Sequence, residues 1–264
     1  MKISIVTPSF NQGRFIQEAI QSVAAQNHAA VEHIIVDNCS TDETPCILKK
    51  YSSLKVIAQP DKGQSDALNK GFHQASGDII GWLNADDRYL PGCFKAVSDF
   101  FMANPLCDIV YGHYYLINEE GKFLSSRKEL GFDLFMLKYL HILYIPSTTT
   151  FFRRRIFEEG NFLNIDYHYA MDYEFFLRLA LKGYRFCHIP VILADFRTHP
   201  ASKSQKQVVV QKQEMERALL QLDPVLSQCQ APWRKGMRLS LMAVARLKRY
   251  ILKFITGAYD EVKS

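Results

Sequence analysis

The sequence predicts an α/β fold: a mostly parallel central sheet with helices on both faces. Two observations carry this. Short β-branched runs alternate with segments of helical apolar spacing from the first residues to about Tyr111. The 264 residues, 48% hydrophobic and 22% charged, suffice for one large core or two modest ones.

The elements follow in order. Ile3 to Val6 reads as a first strand, and the TPSFNQG after it is turn chemistry. Phe15, Ala19, Ile20, Val23 and Ala24 then recur at helical spacing. HIIVD, 33–37, is a second strand closed by NCSTDET, which offers Ser40, Thr41 and Asp42 as caps for a helix running to about Tyr51. Leu54 to Ala58 is a third strand, 64–76 a helix, and Asp78 to Leu83 a fourth strand. Leu90 to Asn104 is helical, and Asp108 to Tyr111 begins a fifth strand.

The second half is less regular. Gly112 to Arg127 reads as a strand pair around an EEGK turn, and STTTFF, 147–152, has strong β character. DYEFFLRLAL, 172–181, is an amphipathic helix stopped by Gly183, and Arg185 to Ala194 a further strand. From Gln205 the pattern is helical to the end, with a break at Gln228 to Pro232.

In an open α/β sheet ligands bind beyond the carboxyl ends of the strands. Thr7 to Asn11, Asp37 to Asp42 and Asn84 to Asp87 all fall there, so one crevice can collect them. The last of these lies in GWLNADDRYLPG, where an apolar run ends in adjacent acids. Like charges side by side at a strand end point to a positive partner, a metal ion or a proton in transit.

The formal charge of +5 is mild and does not point to nucleic acid. Six cations and no acid lie between Pro232 and Leu252, which leaves the rest of the chain near −1. Met237, Leu241, Val244, Leu247 and Ile251 recur there with Arg238, Arg246, Arg249 and Lys253 beside them. Such a basic amphipathic helix, about residues 232–256, can lie on an anionic membrane, pack on its own domain or mediate a dimer. The six cysteines show no metal-ligand spacing and fit free thiols in a reducing compartment. The start MKISIVTPSF has no signal-peptide layout, and no run reaches spanning length. The expectation is a cytoplasmic protein, with a peripheral place at the inner face of the cell membrane if the membrane alternative for the tail holds.

No GxxxxGK[ST] loop is present, and no GxGxxG follows the first strand, which disfavours a P-loop and a dehydrogenase-type dinucleotide fold. What is present is an ordered set of segments: SIVTPSFNQGRFIQEAIQSVAAQ, HIIVDNCSTDET, QPDKGQSDALNKGF, ASGDIIGWLNADDRYLPG, PSTTTFFRRRIF, MDYEFFLRLALKGYRF and FRTHPASKS. Over residues 1 to about 204 the chain resembles the inverting nucleotide-sugar glycosyltransferases of family 2, and among them those of bacterial surface-polysaccharide assembly. The resemblance implies the GT-A fold, Rossmann-like, on a catalytic domain of 1–204. Residues 1–111 would form its nucleotide-sugar-binding half and 112–204 its acceptor-binding half, with a helical extension at 205–264.

The resemblance also implies roles. The family's metal-binding Asp-x-Asp stands here as Asn84-Ala85-Asp86, followed by Asp87. Asp86 is the first candidate ligand for Mn²⁺ or Mg²⁺ and Asp87 the second, with His199 matching a histidine found near the metal and diphosphate. Asn84 would accept from a ribose hydroxyl. Asp37 resembles the acid that bonds the nucleobase, with Thr7, Pro8, Ser9 and Asn11 lining the same pocket, which suits a UDP- or GDP-sugar. Asp61, Lys62 and Asp66 fall in the third polar loop. The family's usual Arg there is Leu68, so Lys62 or Lys70 must supply any cationic contact. Asp172 matches the base, with Met171 in place of the usual Glu and Glu174 as its rival. A helix N-terminus favours an ionised carboxylate ready to take a proton. The acceptor would be a glycan or a lipid-linked sugar, and the lack of QxxRW implies one sugar per encounter. Two rivals are a sugar-1-phosphate nucleotidyltransferase and a catalytically silent scaffold of the same fold, to which the Asn84 and Met171 departures lend support.

Overall fold

A computed structural model describes residues 1–140, 142–200, 207–223 and 231–258. The expected boundary at 204, the onset of helicity at Gln205 and the break beginning at Gln228 lie outside those residues.

The first half alternates as expected: β1 (Ile3–Ser9), α1 (Ile16–Ala24), β2 (Val31–Asp37), α2 (Thr44–Leu48), β3 (Lys55–Ala58), α3 (Gln64–Gln74) and β4 (Ile79–Trp82). A two-residue strand, β5 (Arg88–Tyr89), precedes α4 (Cys93–Ala103). Next come β6 (Ile109–Ile117), β7 (Phe123–Arg127), α5 (Leu134–Tyr139), β8 (Phe151–Arg153), α6 (Arg155–Glu158), α7 (Met171–Leu181) and β9 (Phe186–Arg197). Two further helices, α8 (Val208–Leu222) and α9 (Ala231–Thr256), close the described chain.

All nine strands form one sheet in the order β3-β2-β1-β4-β8-β6-β9-β5, with β7 paired to β6. From β3 to β4 every pairing is parallel, with Ser9 level with Asp37 and Val6 level with Trp82. The carboxyl ends of these strands therefore share one edge. Beyond β4 the sheet turns mixed: β8 is antiparallel to β4 and β6, whereas β9 runs parallel to β6. That parallel pairing brings the end of β9, and the residues after it, to the same edge.

Helices cover both faces. One core gathers Val6, Trp82, Tyr111 and Phe152 under α3, α5 and α7. The other packs Ile5, Phe151 and Leu193 against Phe94 and Val97 of α4. At Gly71 a Cβ would fall 2.2 Å from the Val6 side chain, so only glycine lets α3 approach β1 this closely.

Three local expectations are corrected. The strand expected over 147–152 is a 3-10 turn, Ser147–Thr149, followed by the short β8. The Thr149 and Thr150 hydroxyls donate to the carbonyls of Gly112 and Pro146, and such bonds compete with a ladder. The helix expected from about residue 40 begins only at Thr44. The Asp42 carboxylate accepts from the Gly13 and Thr44 N–H groups and holds the preceding residues in a turn.

The third correction concerns the basic tail. Met237, Leu241 and Leu252 of α9 pack against the core with fully buried Ala245, whereas Val244, Leu247 and Ile251 face outward, about half exposed. The expected stripe thus splits in two. Several cations turn inward: Arg238 pairs with Glu216, Lys248 with Asp133, and Arg249 lies 4.0 Å from Glu129. Among the described residues no helix is long and apolar enough to cross a membrane.

Candidate active site

A cavity of about 430 Å³ opens at the shared strand edge. Its walls come from the loops after β1, β2, β3 and β4, from the start of α7, from the end of β9 and from α8. Pro8, Ser9, Asn84, Asp86, Asp87, Asp172 and His199 all line it, as expected from sequence.

The acidic loop after β4 divides its labour. Asp87 is 2% exposed and accepts three hydrogen bonds: from the Thr148 hydroxyl at 2.6 Å, the Arg197 N–H at 2.8 Å and the Asn84 side-chain amide at 3.0 Å. Burial, with Asp86 next to it, pushes its carboxyl well above the ordinary carboxylate range. With three donors on its oxygens, Asp87 braces the loop. Asp86 instead presents Oδ2 to Nε2 of His199 at 3.1 Å. Behind it the almost fully buried Arg197 guanidinium donates to the Asp86 carbonyl at 2.8 Å, to the Glu119 carbonyl at 2.8 Å and to Glu18 at 2.7 Å.

Asn84 has an internal role. Its Oδ1 accepts from Trp82 Nε1 and from Gln64 Nε2, both at 2.9 Å. The indole N–H can only donate, so it fixes the amide's orientation and turns Nδ2 toward Asp87.

On the opposite wall, α7 presents Asp172 to the cavity from its first turn. The rival acid Glu174 is 4% exposed and held by Arg178 Nε at 2.7 Å and Nη2 at 3.1 Å. Glu174 is therefore bound in an ion pair, away from the cavity lining. Met171 lines the cavity beside Asp172, and its sulfur accepts from the Ser65 hydroxyl at 3.0 Å.

Five expected donor-site residues do not line the cavity. Thr7 is fully buried, with Oγ1 3.0 Å from His33 Nε2 inside the sheet. Asn11 adopts φ +51°, and its Oδ1 accepts from the Thr41 N–H, so it shapes the loop. Asp37 accepts from the Ser40 N–H at 2.8 Å and the Ser40 hydroxyl at 2.6 Å; its neighbour Asn38 lines the cavity instead. Asp66 accepts from the Lys62 N–H at 3.0 Å and pairs with Lys70 at 3.1 Å. Neither Lys62 nor Lys70 is in the lining, where Arg197 is the only Lys or Arg among the described residues.

Sequence reasoning passed over other lining residues. Phe10, 55% exposed, is among them, as are His168, Tyr169 and Phe196. Asp61, named from the sequence in the third polar loop, does line the cavity, and burial raises its carboxyl above the ordinary value. Gln211 enters from α8. An aromatic next to the polar TPS turn was a visible signal for Phe10; nothing local marked Gln211.

Among the described residues no cluster of three or more His, Cys, Asp or Glu side chains is set to hold a metal. The Asp86–His199 pair supplies two converging ligand atoms, an oxygen and a nitrogen. That suits a hard divalent ion that completes its shell with substrate phosphates and water.

The fold is shared with known proteins. The chain shares its fold with Staphylococcus aureus TarS 1–349 in complex with UDP: TM-score 0.67, 20% identity, 93% of this chain and 70% of that one. It shares it equally with the mannosyltransferase PcManGT of Pyrobaculum calidifontis in complex with GDP-Man and Mn²⁺: TM-score 0.65, 16% identity, 97% and 73%. The expected GT-A architecture is thus the observed one. An uncharacterized glycosyltransferase of Nostoc sp. is 30% identical over 136 residues, 50% of this chain and 42% of that protein. Escherichia coli chondroitin synthase is 26% identical over 215 residues, 80% and 31%. The chain spans about half the length of the first curated relatives it matches. The family model for glycosyl transferase family 2 matches residues 4–160. That is more than half of the chain, and the chain belongs to glycosyl transferase family 2.

Proposed function

We propose that the protein is a metal-dependent, inverting glycosyltransferase that moves a sugar from a nucleoside diphosphate, UDP or GDP, to a hydroxyl acceptor. The observation that carries this is the placement of the Asp86–His199 pair and the Asp172 carboxylate on one cavity, with Glu174 tied up by Arg178. Direct displacement at an anomeric carbon needs one carboxylate to take the acceptor proton, whereas an inverting glycosidase needs two carboxyls flanking the bond. Asp172 accepts the proton of the acceptor hydroxyl while the hydroxyl's oxygen bonds to the anomeric carbon. The bond from that carbon to the diphosphate oxygen breaks, and its electron pair leaves with the diphosphate.

Asp86 and His199 would hold the divalent ion, Mn²⁺ or Mg²⁺, with Asp87 bracing the loop behind them. When bound, that ion supplies Lewis-acid stabilisation of the departing diphosphate. The complexes of TarS with UDP and of PcManGT with GDP-Man and Mn²⁺ support such a donor and cofactor. In this reading Ser9, Phe10 and Asn38 face the nucleoside, and residues 112–204 receive a glycan or lipid-linked acceptor of bacterial polysaccharide or glycolipid assembly. Residues 232–256 lie against the inner face of the cell membrane. The outward face of α9, with Trp233, Leu247, Tyr250 and Phe254 at 60–78% exposure, supports that contact.

A thermal-shift screen of nucleoside diphosphates with and without Mn²⁺ tests the donor half of the reading. One diphosphate is expected to stabilise the protein only with the metal, and Asp86→Asn or His199→Ala to remove that effect. In a transfer assay Asp172→Asn should lose activity with donor binding retained. An active Asp172→Asn enzyme refutes the base, and a shift that ignores Mn²⁺ refutes the metal.

A further inference from the structure

The segment 166–170, just before α7, makes no helix and no sheet, yet it delivers His168, Tyr169 and Asp172 to the cavity. Its N-cap, Ala170, has no side chain able to cap the helix. What holds it comes from α8, beyond the stretch matched by the family model.

Glu214 is the centre of that grip. Its carboxylate accepts from three successive backbone N–H groups: His168 at 3.1 Å to each oxygen, Tyr169 at 2.7 Å and Ala170 at 2.8 Å. Successive N–H groups converging on one anion form a nest, a concavity that fixes backbone direction by binding negative charge. The same side of α8 adds further contacts at helical spacing. Gln211 donates to the Tyr169 carbonyl at 3.1 Å, and Arg217 donates to the Asp166 carbonyl at 2.7 Å with its guanidinium 4.1 Å from the Tyr167 ring. Gln221 accepts from the Tyr167 hydroxyl at 2.7 Å.

We infer that Glu214 is a positioning residue for the transfer reaction. By filling the nest at 168–170 it sets the angle at which α7 enters and hence where the Asp172 carboxylate stands on the acceptor side of the cavity. The inference rests on the reading of Asp172 as the base. Charge-assisted bonds from a carboxylate to backbone N–H groups are about twice as strong as neutral ones, so an amide at 214 holds the segment less firmly. It also offers one acceptor oxygen where the nest engages two.

The donor side is built from other loops, so the two halves of the reaction should separate. Glu214→Ala is expected to lower kcat by roughly 100-fold, the scale of a misplacement near 1 Å, with the Mn²⁺-dependent thermal shift by donor kept within about twofold in affinity. Glu214→Gln should fall between. Formate, small enough to enter the emptied nest, should restore part of the kcat of Glu214→Ala and none of that of Asp172→Asn. Amide hydrogen exchange of a peptide spanning 168–172 should rise in Glu214→Ala and fall again with formate, a readout independent of turnover. A kcat within twofold of wild type, exchange unchanged at 168–172, or donor affinity lost in proportion to kcat would each overturn the inference. If instead Asp172→Asn is fully active while exchange responds as expected, the base assignment fails and the grip of Glu214 on the segment stands.

Discussion

The division of labour between the two acids can be tested by removing Asp87. Three donors converge on its carboxyl, from Thr148, Arg197 and Asn84, and the Thr148 side chain is fully buried. Leaving a buried donor unsatisfied costs about 1–3 kcal/mol. The Thr148 hydroxyl can rotate, whereas the Arg197 N–H and the Asn84 amide cannot turn away from the gap. Two such donors at about 1–3 kcal/mol each put Asp87→Ala at about 2–6 kcal/mol, a large share of the ~5–15 kcal/mol that holds a typical domain together. Asp87→Asn keeps the shape and one acceptor oxygen but sets its amide N–H₂ against a neighbouring donor, so about 1–3 kcal/mol is expected. Urea denaturation followed by tryptophan fluorescence reads this directly: Trp82 leads into the loop, and the midpoint should fall with the slope unchanged. The measurement belongs in metal-free buffer, where a ligand role for Asp87 makes no contribution. If Asp87→Ala unfolds within about 0.5 kcal/mol of wild type and yet loses the Mn²⁺-dependent donor shift, Asp87 is a cation ligand and the brace is wrong.

Two further outcomes follow from buried and exposed groups elsewhere. Burial holds the His33 imidazole near a pKa of about 3, and its Nδ1 finds no hydrogen-bond partner among the described residues. An unfolded histidine titrates near about 6.5, so the folded state binds fewer protons, and stability falls as pH drops below about 6.5. At pH 5 this one side chain should cost about 2 kcal/mol, and His33→Gln should flatten a plot of urea midpoint against pH between about 4 and 7; an unchanged slope refutes it. For the tail, Leu247→Glu and Phe254→Glu should each weaken co-sedimentation with phosphatidylglycerol vesicles by roughly tenfold, since each removes a large apolar side chain from the outward face. Wild-type protein that stays in the supernatant would end the membrane reading.

What the sequence disclosed and what it hid divide along a physical line. The alternation through β4 was legible because apolar period and turn chemistry are local. So were Asp86, Asp172 and His199, because each sits at an element end where backbone direction alone delivers the side chain to the sheet edge. That Thr7 and Asp37 lie outside the cavity lining was hidden for one reason. β1 is buried along its whole length and β2 over its last five residues. A strand covered on both faces carries no polar alternation to tell which side chain meets the cavity. The partner that claims Thr7, His33, lies on the neighbouring strand, and the one that claims Asp37, Ser40, was read as a helix cap. The tail failed differently. Met237, Leu241 and Ala245 follow the i, i+4 row, whereas Leu247 and Ile251 belong to an adjacent row of similar hydropathy. Only contact with α5 decides which row is buried. Glu214 was invisible because a polar stripe on a helix has the pattern of a solvated face.

The two departures from the family pattern weigh differently once their contacts are known. Position 84 receives two donors, from Trp82 and Gln64, and must itself donate to Asp87. A carboxylate could satisfy the first two bonds but would set a second negative charge against a carboxyl already raised by burial and by Asp86. An amide accepts and donates within one short side chain, and asparagine is the residue of that length which does both. Position 171 is 6% exposed, beneath a serine hydroxyl that donates to its sulfur, and a glutamate there would bring a charge into that buried contact. The departure at 84 is thus matched by partners from other segments: Gln64 from the first turn of α3, and Thr148 through Asp87. A site decaying toward a silent scaffold would leave such polar groups unpaired. At position 84 the substituted residue is the one that completes the bonding. The Ser65 hydroxyl beside Met171 also has the Tyr167 carbonyl as acceptor at 3.1 Å, so only the Asn84 departure stops counting toward a silent scaffold.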